Sequence, residues 1–200
     1  MATSLLNQLT KHHAIGGLLA ALVLLTATPP LRAQSFTLPD RKAKLGEVHY
    51  SARVGSTVGT EGERFRALVI PEGGRLASVQ VATGGSVVHS LRFRYTDAEG
   101  KEQTHLVGDE NGDWQEPFVI PPGRTLVGIS GAGGWWIDRL VFHLDDGTTS
   151  PAYGGTEGGD TDFSLLLAQR NGKWKGRLMG FWGTVGEHVE SLGLVFWPIE

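Results

Sequence analysis

The chain has 200 residues, of which 40% are hydrophobic and 20% are charged, and its formal net charge is −3 at pH 7. This composition suits one globular domain with a sizeable core, and a mildly acidic chain without a basic cluster is a poor partner for nucleic acid or an anionic membrane. The sequence contains no cysteine, which excludes disulfides, zinc–thiolate and iron–sulfur sites and a thiol nucleophile.

The first 33 residues have the order of a secretory signal peptide. A short basic stretch at residues 11–13 precedes an apolar run at residues 14–27, and two prolines and Leu31-Arg32-Ala33 follow. The run is shorter than the ~18 residues of a membrane-spanning helix, so an uncleaved anchor is the less favoured alternative. We therefore expect cleavage after Ala33 and a secreted protein, extracellular or periplasmic.

Beyond this segment, the sequence indicates a short arm followed by one domain. Removal of residues 1–33 takes away Lys11 and Arg32 and no acid, which leaves 16 basic and 21 acidic side chains and a net charge of −5. Residues 34–45 are polar and mixed in charge, as in an arm or linker. Residues 46–200 form the predicted domain. The chain has 29 glycines, about twice the usual share of ~7%, as expected of turns and bulges in an all-β fold.

The same short pattern occurs three times in the domain. A glycine stands three places before an aliphatic residue, a polar residue follows directly, and a leucine comes two places later. The copies begin at Gly85, Gly134 and Gly186, 49 and 52 residues apart. A repeat of about 50 residues indicates three copies of one supersecondary unit. After each turn, core and surface positions alternate as in a strand.

A second set of turns separates the predicted strands. Pro71-Glu72-Gly73-Gly74 and the similar Pro121-Pro122-Gly123-Arg124 stand between β-rich runs, and Asn171-Gly172 does so in the third unit. Asn-Gly between such runs strongly favours a hairpin. The sequence therefore predicts a hairpin at one end of each unit and a glycine turn at the other. Three such four-stranded units can close into a three-sided prism, which removes sheet edges.

Several strings resemble the jacalin-related lectins in their order and spacing, over about residues 46–198. They are LVGISG at 126–131, SPAYGGTEG at 150–158 and RLMGFWGTVG at 177–186. The resemblance implies a β-prism of three four-stranded Greek-key sheets with pseudo-threefold repeats. It also implies a sugar site, formed by a Gly-x-x-x-Asp turn that faces a neighbouring glycine-rich loop.

Only the second unit has this site pattern complete, from Gly134 to Asp138. The family's topology makes Gly154 and Gly155 the facing loop. The Asp138 carboxylate can accept two hydrogen bonds from adjacent hexose hydroxyls, and N–H groups of the turn can donate to the same oxygens. Glycine in both loops lets the backbone approach the sugar ring, and the aromatic ring of Trp135 or Trp136 can cover its apolar face.

The two other turns depart from the pattern. A second site facing the Gly59–Gly62 loop would use Gly186, Glu187, His188 and Glu190. Glu190 stands where the pattern has aspartate, and its extra methylene moves the carboxylate by about one C–C bond, enough to misplace a bidentate contact. An ordinary exposed turn is the favoured interpretation of this segment. The first turn ends in His89, which we interpret as a surface histidine.

Each candidate residue also has a simpler interpretation. Adjacent strand residues face opposite ways, so we expect one ring of Trp135 and Trp136 in the core and the other over a sheet rim. Asp138 can pair with Arg139 or with amides of the turn. The acidic run at residues 109–113 lacks the glycine position and the distal glutamate of a calcium loop, so we expect no metal.

These features favour a non-enzymatic carbohydrate-binding domain, of mannose or glucose type, without a cofactor and with a homo-oligomer as one possible state. The alternative is a protein-interaction or structural domain of the same fold that has lost sugar binding. A glycosidase that uses Glu187 and Glu190 is disfavoured, because nothing in one exposed turn distinguishes an acid from a base.

Overall fold

The structure is a computed structural model that describes residues 34–37, 48–56, 63–155 and 161–198. These residues belong to one compact unit, Leu31–Glu200. The described part is all-β, and it contains no helix long and apolar enough to cross a membrane. The predicted signal peptide, residues 1–33, lies outside the described residues.

The strands of the described part are β1 Gln34–Thr37, β2 His49–Gly55, β3 Glu63–Val69, β4 Arg75–Gly84, β5 Val87–Thr96, β6 Glu102–Val107, β7 Asp113–Trp114, β8 Phe118–Val119, β9 Leu126–Gly133, β10 Ile137–Leu144, β11 Tyr153–Gly154, β12 Thr161–Leu166, β13 Gln169–Arg170, β14 Lys173–Trp174, β15 Gly176–Val185 and β16 Val189–Pro198. They form three sheets, with orders β6-β5-β4-β7 plus β8 beside β4, β1-β12-β9-β10-β11, and β2-β16-β15-β3. Strands β13 and β14 form a separate ribbon.

Each sheet is built on one long antiparallel hairpin, β4-β5, β9-β10 or β15-β16, and each hairpin closes at a predicted glycine turn. The third sheet has the expected four strands, while the other two reach five through two-residue strands and through β1. Strand β1, in the predicted arm, pairs in parallel with β12. The predicted all-β architecture of three sheets is therefore confirmed.

The second set of turns connects sheets more often than it closes hairpins. Strand β3 pairs with β15, so the turn at Pro71–Gly74 leads from the third sheet into the first. The turn at residues 121–124 likewise leads from β8, beside β4, into β9 of the second sheet. Only Asn171-Gly172 closes a hairpin directly, between β13 and β14. The hairpins predicted at the first two turns are wrong because strand partners far apart in sequence decide the pairing.

The core lies between the three sheets, and one phenylalanine from each sheet meets at its centre. Phe181 stacks on Phe93, with ring centroids 5.0 Å apart, and meets Phe142 edge-on at 6.3 Å. All three rings are fully buried. The predicted alternation is confirmed in β5 and β10, whereas Val195 of β16 is fully buried on the face predicted to be surface.

Candidate functional site

The three glycine turns close the hairpins at one end of the prism, because β4, β9 and β15 all run toward them. The second and third turns have a common backbone geometry. In the second and third, the N–H of Gly134 donates to the carbonyl of Trp136, and that of Gly186 to the carbonyl of His188, each at 3.0 Å. The strand register then skips one residue in every unit, namely His89, Asp138 and Glu190. Such β-bulges re-aim a side chain at the rim of a sheet.

A glycine from the neighbouring loop packs against the carbonyl of each bulged residue. Gly154 has a φ of +89°, and a Cβ on it would collide with the carbonyl oxygen of Asp138. Gly55, with a φ of +92°, approaches the carbonyl of Glu190 in the same way, whereas a Cβ on Gly108, with a φ of +86°, would meet the Ser90 hydroxyl first and then the His89 carbonyl. Only glycine combines this φ with so close an approach.

Asp138 and the predicted facing loop are brought together as expected. The N–H of Gly155 donates to the carbonyl of Asp138 at 3.1 Å and to that of Ser86 at 3.1 Å. Gly155 also lies directly against the Ser86 side chain, where a Cβ would overlap it. The second turn, its facing loop and the first turn are therefore joined through one backbone N–H group.

Asp138 itself is buried, with 7% of its surface exposed. Its neighbour Arg139, on β10, directs its guanidinium to Asp162 of β12, at 2.8 Å, in an ion pair that spans the intervening strand β9. Asp138 thus lies beneath the rim of the turn, while Arg139 faces outward. Asp138 is therefore a largely buried acidic residue at a bulge, next to the exposed tip of the turn.

Both tryptophans of the second turn are exposed, which corrects the expectation that one ring lies in the core. Trp135 is 75% exposed and Trp136 is 42% exposed. The two residues lie in the turn that precedes β10, so the rule that adjacent strand residues face opposite ways does not apply to them. Two large apolar rings therefore stand at the rim next to Asp138.

Trp136 connects the second turn to the two others through a column of rings. The ring of His188 meets Trp136 edge-to-face, with centroids 4.9 Å apart, and meets the His89 ring in the same way at 4.3 Å. The Nδ1 atoms of both histidines and Oε2 of Glu190 are buried without a hydrogen-bond partner among the described residues. We name the Trp136–His188–His89 arrangement the ring column.

The contacts that the ring column and Ser86 make between the turns were not predicted from the sequence. His89 was interpreted as a surface histidine, yet it is partly buried against His188. The spacing of Gly85, Gly134 and Gly186 indicated that the first turn belongs to the repeat, but the spacing did not indicate that the turns contact one another.

The third turn is less complete as a site. Gly186 and Glu187 are exposed, whereas His188 and Glu190 are half-buried. The N–H of Ser56 donates to the carbonyl of Glu190 at 2.8 Å, which is the counterpart of the contact between Gly155 and Asp138. The loop predicted to face this turn, Gly59–Gly62, lies outside the described residues.

Tyr153 holds the facing loop at its start. The Tyr153 hydroxyl donates to the carbonyl of Glu116 at 3.3 Å, and burial raises the pKa of this phenol. Its ring packs on Phe142, with centroids 6.2 Å apart. The core therefore fixes the residue that precedes Gly154.

The described residues contain no group of three or more histidine or acidic side chains able to hold a metal ion. In the acidic run at residues 109–113, Asp109 instead accepts the backbone N–H and the side-chain amide of Asn111. The carbonyl of Asp109 accepts a hydrogen bond from Ser90. This run is a hydrogen-bonded turn against the first sheet.

Residues 54–195 match the family model of the jacalin-like lectin domain. Over 153 residues the chain is 28% identical to a Schizosaccharomyces pombe protein whose name proposes a zinc metalloproteinase, a match that covers 76% of this chain and 22% of that protein. It is 28% identical over 121 residues to myrosinase-binding protein 2 of Arabidopsis thaliana, covering 60% of this chain and 17% of that protein. The chain thus spans about a fifth of the length of these relatives.

Solved structures of similar fold include the Malaysian banana lectin. It has a TM-score of 0.60 and 20% identity, over 76% of this chain and all of the lectin chain. A mannose-binding jacalin-related lectin from Ananas comosus has a TM-score of 0.56 and 23% identity, over 76% of this chain and 99% of that one. At these identities the likeness establishes the β-prism fold.

Proposed function

The chain belongs to the jacalin-like lectin family, and we propose that it binds carbohydrate at the second turn, Gly134 to Asp138. The observation that carries this proposal is the packing of Gly154 and Gly155 against the bulged Asp138. A carboxylate accepts hydrogen bonds from hydroxyl groups, and exposed aromatic rings can cover the apolar face of a hexose.

In the proposed complex, the Asp138 carboxylate accepts hydrogen bonds from two adjacent hydroxyls. Backbone N–H groups of the turn donate to the same sugar oxygens, and Gly154 lets the facing loop approach the turn closely enough to border the ring. Trp135, the most exposed ring, covers the apolar face of the sugar. Trp136 is held by the ring column and forms the wall toward the third turn.

The name of the Ananas comosus protein, which binds mannose, supports a sugar of the mannose type. Affinity at one shallow site of this kind is about millimolar, or ~4 kcal/mol, so useful avidity requires several sites or a homo-oligomer. The second candidate site, Gly186 to Glu190, would supply one of these. The signal-like residues 1–33 support action outside the cytoplasm.

We further propose that the domain is not an enzyme. The carboxylates described at the turns differ in exposure: Asp138 is buried, Glu187 is exposed and Glu190 is half-buried. The relative whose name proposes a metalloproteinase matches this chain over only 22% of its own length. Binding without turnover accounts for the site with the fewest assumptions.

A protein-interaction role is the second candidate, and the exposure of Trp135 favours it. Single exposed aromatic rings are frequent anchors in protein interfaces. The name of the Arabidopsis relative states that it binds a protein, myrosinase. On this alternative, loss of the Asp138 charge would leave partner binding unchanged and Trp135→Ala would abolish it.

The test is a glycan array with the protein presented as a multimer, in three versions: the unaltered chain, Asp138→Asn and Glu190→Gln. Asp138→Asn keeps the side-chain volume but removes the charge, so we expect binding to weaken at least tenfold, or about 1.4 kcal/mol. Glu190→Gln is the matched variant in the third turn, and because that turn is the less complete site it should weaken binding much less than Asp138→Asn does. Binding lost only in Glu190→Gln would transfer the site to that turn, and no binding by any version would favour the interaction role.

A further inference from the structure

A small pocket lies at the end of the prism opposite the glycine turns. It is lined by the residues at which β4, β9 and β15 begin, and these strands end at the glycine turns. Three of its lining residues are arginines, one from each sheet region: Arg75, Arg124 and Arg177. The pocket has a volume of about 30 Å³, which holds roughly two water-sized atoms.

Two of these arginines join neighbouring sheets. Arg75 donates to the carbonyl of Ile120 at 3.0 Å, which ties the first sheet to the turn before β9. Arg177 donates to the carbonyl of Gly74, which ties the third sheet to the first. Each of these two hydrogen bonds uses one nitrogen of a guanidinium that carries five N–H donors, so both side chains retain further donors for a ligand of the pocket.

The positive charge of this pocket is only partly neutralised by carboxylates of the described residues. Arg75 and Arg177 are half-buried and have no carboxylate partner there. Arg124 is exposed and pairs with Asp146 at 3.1 Å at the rim. Like charges gathered in a partly desolvated pocket repel one another, and a bound anion removes that repulsion.

We propose that this pocket binds a tetrahedral oxyanion, the sulfate or phosphate group. Guanidinium forks match the oxygen spacing of such groups and form charge-assisted hydrogen bonds with them. The pocket takes two of the oxygens, between Arg75 and Arg177, and the remaining two stay at the mouth beside Arg124. The site is independent of carbohydrate binding, since it lies at the other end of the strands.

The test is isothermal titration calorimetry with sodium sulfate and, separately, sodium phosphate, with sodium chloride holding the ionic strength constant. The unaltered protein should give a saturable heat. Arg124→Gln should weaken binding at least fivefold without affecting the two arginines that join sheets. Arg139→Gln is the matched control, because Arg139 also forms an exposed ion pair, with Asp162, but lies outside the pocket.

A fourth version makes the test independent of misfolding. Asp146→Asn releases Arg124 from its carboxylate and should tighten binding at least twofold, a gain that an unfolded variant cannot produce. Absence of saturable heat with the unaltered protein would overturn the proposal. Equal affinities of Arg124→Gln and Arg139→Gln would also overturn it, because the anion would then bind elsewhere.

Discussion

Gly154 has a φ of +89° and lies where any Cβ would collide with the carbonyl oxygen of Asp138. The sequence suggested this residue as part of a facing loop, and the structure gives the reason for a glycine there. It contributes no side chain, yet it sets how closely the loop and the bulged carboxylate residue approach. Gly123 also has a positive φ, +81°, but no atom lies within 4 Å of the place its Cβ would occupy.

Alanine substitutions of Gly154 and Gly123 distinguish the cost of backbone strain from the cost of a steric collision. We expect Gly154→Ala to lower the free energy of unfolding by about 2–4 kcal/mol, because it combines an unfavourable φ with a collision. Gly123→Ala should lower it by about 1 kcal/mol, from the φ alone. Denaturant titrations of both variants provide the measurement. Equal losses would mean that the loop moves away easily and that Asp138 is not held by it.

The β9–β10 hairpin shows what local sequence specifies and what it does not. The glycine turn, the strands and the buried faces of Leu140 and Phe142 follow from spacing and alternation, and they are confirmed. The exposure of both tryptophans was not predicted, because the boundary between turn and strand decides which rule applies. The partners of the Pro71–Gly74 flanks were not predictable either, since β3 pairs with β15, more than a hundred residues away.

The outer face of this hairpin carries one titratable histidine. His143 of β10 shares a hydrogen bond of 2.7 Å with the hydroxyl of Ser130 on β9. Burial lowers the pKa of His143 from its ordinary value of 6.5, and burial lowers that of His105 on β6 as well. The unfolded chain therefore binds protons at a higher pH than the folded chain.

The stability of the folded protein depends on pH through these two histidines. Stabilisation by the neutral histidines is fully present above pH 6.5 and is lost as the pH falls through their lowered folded-state pKa. We expect the free energy of unfolding to decrease between pH 7.5 and pH 5, and His143→Gln to make that decrease smaller. Denaturant titrations across this range provide the measurement. An unchanged slope in the variant would show that His143 does not contribute.

At the scale of the whole molecule, the three sheets enclose one core and create two distinct ends. At one end the bulges of all three units meet, and the ring column joins turns that are distant in the sequence. At the other end the arginines join the sheets. The three-sheet architecture was predictable because the glycine pattern repeats, whereas contacts between the turns were not, since they depend on how the sheets close.

The central claim is that sugar binds between the second turn and the Gly154–Gly155 loop. The most direct measurement is a titration of ¹⁵N-labelled protein with methyl α-mannoside and methyl α-glucoside, followed by two-dimensional NMR. We predict saturable shifts of the Gly155 amide and of the indole N–H signals of Trp135 and Trp136, with small shifts at Glu187. Shifts confined to Gly186–Glu190, or no saturable shift with either sugar at concentrations well above millimolar, would contradict the claim.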